Sequence, residues 1–221
     1  MKDVMVIFDL DGTLVDSIEG LAYSMNSVLE ANKMKSHSTE TYFDFLGEGI
    51  ERLVFKALPE THRDAESVSN YYKKMLASYN DYFDRDLEPY DGIYDMLDTF
   101  AHMGVKMVIH TNKNERMAKI IANRYLGQYD FLKIIGDDGV RKNKPDHQEV
   151  LALLDAYEIM KDRCFFVGDT EVDVQTAQAA GVPMIAVTWG FRKSEVLKAL
   201  NPTYMVNKPD EIVDIVKKVT S

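Results

Sequence analysis

Asp9 and Asp11 stand two residues apart in Phe8-Asp9-Leu10-Asp11-Gly12-Thr13-Leu14-Val15-Asp16-Ser17, directly after the apolar run that begins at Val4. In an extended chain residues two apart face the same side. Two carboxylates that meet there repel unless a cation neutralises them or one carries a proton. Such a pair can supply a metal ligand, a nucleophile, and an acid and base. Gly12 permits a tight turn and close approach of a ligand. Taken alone, the same residues also suit a turn in which an aspartate caps the following segment.

A second acidic pair lies in Gly168-Asp169-Thr170-Glu171-Val172-Asp173, after the apolar run Cys164 to Val167. If a helix has begun at Asp169, Asp169 and Asp173 share one helical face; capping by Asp169 or Thr170 is the structural alternative. Oxygen donors without a Cys/His cluster favour Mg²⁺ over zinc. None of the five histidines shows ligand spacing, and His110 reads as a packed or hydrogen-bonded residue at a strand end. Ile109-His110-Thr111-Asn112-Lys113 ends another apolar run before a helix, where a hydroxyl and backbone N–H groups favour an anion. Thr111 suits a phosphoryl oxygen there, or a plain helix cap. Pro145 restrains the backbone so that Lys144 can be aimed, although beside Arg141 and Lys142 it also suits a solvated position.

These residues need a frame. Val4 to Asp9 reads as a buried strand followed by a loop. From residue 17 to 86 the pattern turns helical, as in Ile18, Leu21, Ala22, Met25, Val28 and Leu29, and the aromatic stripe from Tyr71 to Phe83 reads as packing. After Pro89-Tyr90-Asp91-Gly92, helices alternate with short apolar strands. Helices are expected at 93–103, 115–125, 148–157, 172–180 and 210–219. Strands are expected at 105–109, 132–135, 164–167 and 183–187. That alternation implies right-handed crossovers and a mostly parallel sheet covered on both faces. The fold class is α/β: a Rossmann-like parallel sheet core, residues 1–16 and 87–221, with an inserted all-helical domain, residues 17–86. Ligands bind such sheets at the carboxyl ends of the strands.

At 221 residues, 46% hydrophobic and 28% charged, the composition excludes a disordered or fibrous chain. No apolar run approaches the roughly 20 residues of a membrane span. The formal charge of −10 argues against extensive contact with nucleic-acid phosphates. Met1-Lys2-Asp3 leads straight into the first strand without the features of a secretory signal, so a cytoplasmic protein is expected. The single cysteine, Cys164, lies in an apolar run and reads as a structural thiol.

Together these elements resemble the haloacid dehalogenase-like hydrolase superfamily, and within it the phosphoglycolate-phosphatase-like branch with a helical cap. The resemblance covers nearly the whole chain. It is carried by the Asp9 to Ser17 and Gly168 to Asp173 segments, with Thr111-Asn112-Lys113 and Lys144-Pro145 between them in order. One departure is His147, where many relatives carry a second proline after Lys-Pro.

The resemblance implies a Mg²⁺-dependent phosphatase acting on a small phosphate monoester, phosphoglycolate first, through an aspartyl-phosphate. Asp9 would be the nucleophile and Asp11 the acid and base. Thr111 and Lys144 would hold phosphoryl oxygens, with Gly12 and Asn112 beside them. Mg²⁺ would be held by Asp9, the carbonyl of Asp11 and Asp169, with Asp173 as ligand or support. Residues 17–86 would form the cap, meeting the substrate through Gly47, Glu48, Gly49 and Arg52. The implied partner is a small phosphorylated metabolite, with no nucleic acid or membrane, and the chain is expected as a monomer or dimer. A sugar-phosphate mutase, a phosphonate hydrolase using Lys56, and a phosphometabolite-binding regulatory module are the alternatives. Dehalogenation is disfavoured, because the related dehalogenases lack the aspartate found here at Asp11.

Overall fold

The computed structural model describes residues 3–46 and 48–220. The first half of the chain forms β1 (Met5–Phe8), β2 (Val15–Asp16), α1 (Ile18–Ala31), α2 (Thr39–Tyr42), α3 (Ile50–Ala57), α4 (Ala65–Tyr82) and β3 (Glu88–Pro89). Then follow α5 (Ile93–Met103), β4 (Lys106–Asn114), α6 (Glu115–Tyr125), β5 (Phe131–Asp137), α7 (Gln148–Ala156) and β6 (Cys164–Gly168). The chain ends with α8 (Glu171–Ala180), β7 (Met184–Val187), α9 (Ser194–Ala199), β8 (Tyr204–Val206) and α10 (Pro209–Thr220). Two compact units result: Met1–Val15 with Pro89–Ser221, and Asp16–Glu88. No helix among the described residues is long and apolar enough to cross a membrane.

The first unit is built on a six-stranded sheet in the order β5-β4-β1-β6-β7-β8, with every pairing parallel. All four residues of β1 are buried, as a strand covered on both faces requires. Side chains alternate across it. Met5 and Ile7 join Cys164, Phe166, Val174, Ala177 and Met184 in one apolar cluster, while Phe8 meets the ring of Phe100 from α5 with centroids 6.3 Å apart. The helices bury stripes at helical spacing, such as Ile93, Met96, Leu97 and Phe100 on α5. Gly104 at +68° and Gly181 at +72° close α5 and α8 in the left-handed region that glycine adopts without a Cβ clash. Successive strands add outward on one side of β1 and then on the other. The switch in winding direction therefore falls at the central strand, where open α/β sheets bind ligands.

Three differences from the sequence expectations stand out. The strand expected at 105–109 continues to Asn114, because the residues past His110 stay alongside β5 after a slip in register. α9 and β8 were not anticipated. α9 buries only Leu197, and β8 buries only Val206 at the sheet edge, so neither carries a periodic apolar signal.

The second unit is helical. α1 buries Ile18, Leu21, Met25, Val28 and Leu29, and α4 buries Val68, Tyr71, Met75 and Tyr79, so two aromatics of the stripe, Tyr71 and Tyr79, are packing. A Cβ on Gly20 would stand 2.9 Å from the carbonyl oxygen of Tyr82, so this glycine lets α1 approach the end of α4. Asn26 ties the segment after α1 to it: its amide donates to the carbonyl of His37 at 2.8 Å and accepts from the Tyr42 hydroxyl at 2.8 Å.

Candidate active site

Phe8 pairs with Ile109 on one side and Val167 on the other. The residues that follow these three positions therefore gather at the carboxyl ends of the central strands. The Asp9 N–H still reaches the carbonyl of Val167 at 2.9 Å, and the Gly12 N–H closes a turn onto the carbonyl of Val15 at 2.9 Å. Asp9, Asp169 and Asp173, all buried, bring carboxylate oxygens within 4.8 Å of one another. Into this cluster Lys144 projects its ammonium, 2.9 Å from Asp9 Oδ1 and 2.6 Å from Asp173 Oδ1.

Asp169 and Asp173 converge for a reason other than a shared helical face. Asp169 lies before α8, whose cap is Thr170, and Asp173 sits in the first turn and reaches back. Asp173 Oδ2 accepts from the Thr170 N–H at 3.0 Å and its hydroxyl at 2.7 Å, leaving Oδ1 for Lys144. The carboxylate of Asp169 accepts from the Thr13 hydroxyl at 3.1 Å and the Phe191 N–H at 2.7 Å. Three glycines make room. A Cβ on Gly12 or Gly190 would overlap Asp169, and one on Gly168 would overlap Asp173. Nearby, the half-buried Trp189 donates its indole N–H to the carbonyl of Thr13 at 3.1 Å.

The charges are strongly perturbed. Burial, opposed by the pull of Lys144 and aided by the Asp173 carboxylate, pushes Asp9 up to about 6. Burial, then the carboxylates of Asp173 and Asp9, push Asp169 well above the ordinary carboxylate range. Burial alone would lower Lys144, but Asp173 and Asp9 outweigh it and hold the ammonium above the ordinary lysine range. Asp9 Oδ1 has the lysine ammonium at ion-pair distance. Buried carboxylates with one ammonium among them favour added positive charge, and an all-oxygen donor set suits a hard divalent cation.

Asp11 lies beyond the strand. β1 ends at Phe8, so strand alternation does not extend to Asp9 and Asp11. The Asp11 carboxylate pairs with Lys113, with Nζ 2.8 Å from Oδ1 and 3.0 Å from Oδ2, and its charge acts on Asp9. Thr111 is buried at the same strand end, and its hydroxyl accepts from the Lys113 N–H at 3.2 Å. Asn112 grips the backbone of Lys144, donating to its carbonyl at 3.0 Å and accepting from its N–H at 2.8 Å. Of the residues expected in the helical insertion, Gly47 lies outside the described residues. Glu48, Gly49 and Arg52 belong to the second unit, where Glu48 pairs with Lys56 at 2.8 Å and with Arg52 at 3.6 Å.

Sequence reasoning gave no role to Lys113, Thr13 or the Phe191 N–H. Lys113 alone carried a signal, two residues beyond Thr111 on a strand that ends at the ligand edge. His110 is buried against Phe166. Burial first, then Lys144 and Arg141, push its pKa down to about 3, so the ring is neutral. The Cys164 thiol, pushed up to about 12 by burial, is inert packing.

The central strand of this α/β sheet thus ends in a carboxylate cluster bridged by a lysine. Residues 6–187 match the haloacid dehalogenase-like hydrolase family, and the chain belongs to it. Phosphoglycolate phosphatase of Chromobacterium violaceum is 33% identical over 216 residues, 96% of each chain. That of Neisseria gonorrhoeae is 31% identical over 219 residues, 97% of this chain and 90% of the relative. A crystal structure from Lactobacillus delbrueckii subsp. bulgaricus matches the fold with a TM-score of 0.89 at 23% identity, covering 98% of this chain and 99% of that one.

Proposed function

We propose that this chain, a phosphatase of the haloacid dehalogenase-like family, hydrolyses a small phosphate monoester with Mg²⁺ by way of a phosphoryl group carried on Asp9. The observation that carries the reading is the approach of Lys144 to Asp9 at 2.9 Å inside the buried carboxylate cluster. A carboxylate beside a fixed ammonium can accept an incoming phosphate dianion that it would otherwise repel.

In the first step an Asp9 oxygen bonds to phosphorus, the bond to the ester oxygen breaks, and Asp11 gives that oxygen a proton. In the second, water attacks phosphorus, its proton passes to Asp11, and the bond to Asp9 breaks to release inorganic phosphate. Asp11 thereby regains the proton it needs for the next ester. Lys144 and the Thr111 hydroxyl hold the phosphoryl oxygens, and Asp173 with Asn112 keeps Lys144 aimed. Asp9, Asp169 and the Asp11 carbonyl are the groups suited to hold Mg²⁺, which when bound neutralises charge and polarises the phosphoryl group. We assign the helical unit Asp16–Glu88 to the cap, with Glu48, Gly49 and Arg52 as residues that meet the substrate.

The names of the relatives make phosphoglycolate the first substrate to try. Free-phosphate release from phosphoglycolate, sugar phosphates, nucleoside monophosphates and pyrophosphate, with and without Mg²⁺, tests the reading. Mg²⁺-dependent release with phosphoglycolate highest in kcat/KM is the expected result. Release from no member of the panel overturns it.

A further inference from the structure

Lys113 is more deeply buried than the carboxylate it serves: its side chain is 2% exposed, against 16% for Asp11. Three features of the chain set it there. β4 slips in register between His110 and Asn114, which frees this stretch from regular pairing. The Thr111 hydroxyl accepts from the Lys113 N–H at 3.2 Å. On β5, a Cβ at Gly136 would stand 2.6 Å from the Lys113 carbonyl oxygen, so the glycine allows the slipped segment to lie close. The ammonium that results spans both Asp11 oxygens, at 2.8 and 3.0 Å, and fixes the plane of the carboxylate as well as its distance.

We propose that Lys113 is a positioning residue for the second half of the reaction, fixing the place and plane of the Asp11 carboxyl group in the path of the proton leaving the attacking water. In that step the water oxygen bonds to phosphorus and the water proton goes to Asp11. The phosphorus–oxygen bond to Asp9 breaks, and its electron pair returns to the Asp9 carboxylate. The inference rests on the roles proposed above for Asp9 and Asp11. Lys113 acts through its ion pair with Asp11.

p-Nitrophenyl phosphate separates the two steps, because nitrophenolate leaves without needing a proton. Rapid mixing with Mg²⁺ gives the first step as a burst of nitrophenolate. Dilution followed by acid quench gives the second step as loss of protein-bound phosphate. In Lys113→Met the burst rate is expected within about threefold of wild type, while loss of bound phosphate slows about 10- to 100-fold and phosphoprotein accumulates. Lys113→Gln, which keeps a polar group in the same space, is expected to behave alike, and burst amplitude counts the folded sites. Asp11→Asn must accumulate phosphoprotein in the same assay. If it does and both Lys113 variants slow the two steps equally, the inference is overturned and the roles of Asp9 and Asp11 stand. If Asp11→Asn accumulates none, the proton role of Asp11 falls and the inference with it.

Discussion

Lys144 and Asp173 approach to 2.6 Å, and the same carboxylate closes the cap of α8 through Thr170. One side chain thus fixes where α8 begins and where the ammonium of Lys144 points. Asp173→Ala removes a cap worth about 1 kcal/mol and a partner of a buried charge worth about 3 kcal/mol. Urea unfolding is expected to show a loss of about 3–4 kcal/mol for that variant. Asp173→Asn retains an acceptor for Thr170 and is expected to lose less stability, while phosphate release falls about 100-fold in both. Equal stability losses would argue against the capping role.

The grip of Asn112 on the Lys144 backbone separates aim from charge. Asn112→Ala leaves the ammonium and its carboxylate partners in place but removes both backbone hydrogen bonds. The expected loss of stability is about 1–3 kcal/mol. A fall in kcat/KM of about tenfold or more is expected with it, from a misdirected Lys144. Unchanged kinetics would show that Lys144 holds its place without the amide.

Gly190 tests the space around Asp169. A methyl group there would overlap Asp169 and the carbonyl oxygen of Gly12. Gly190→Ala is expected to cost about 1–3 kcal/mol and to raise the Mg²⁺ concentration for half-maximal activity about tenfold. A Mg²⁺ titration indistinguishable from wild type would remove Asp169 from the metal-holding set.

His110 sets part of the acid limit. Its folded pKa, near 3, lies below the ordinary value of 6.5, so the unfolded chain binds this proton first as pH falls. The stability contributed by the neutral ring is present above about pH 6.5 and declines as pH drops toward 3, by up to about 1.4 kcal/mol per pH unit. His110→Gln is expected to lose stability less steeply than wild type between those limits. Parallel pH profiles in urea unfolding would contradict this.

The frame was legible wherever burial leaves a periodic trace. Met5 to Phe8 and Cys164 to Val167 are apolar because both faces of the inner strands are covered, and α5 and α6 begin and end where the sequence spacing put them. α9 and β8 left no trace because each buries one side chain. At the site, Asp9, Lys144, Asp169 and Asp173 were all named from strand ends and helix starts. The partners were harder to read. Lys113 reaches Asp11 from a different strand across a register slip, and Asn112 turns to a loop backbone rather than outward. A cap at Thr170 was one reading of the sequence, but the part of Asp173 in it was not read, and its second duty toward Lys144 depends on a contact 29 positions away in sequence.

The central claim is that Asp9 carries the phosphoryl group, and the most direct measurement is phosphate release by Asp9→Asn beside wild type with Mg²⁺ and the best ester of the panel. Asparagine keeps the size of the side chain and removes the nucleophilic carboxylate, so release no greater than in the absence of protein is expected from a variant that unfolds like wild type. Release within about tenfold of wild type would contradict the claim and require another nucleophile.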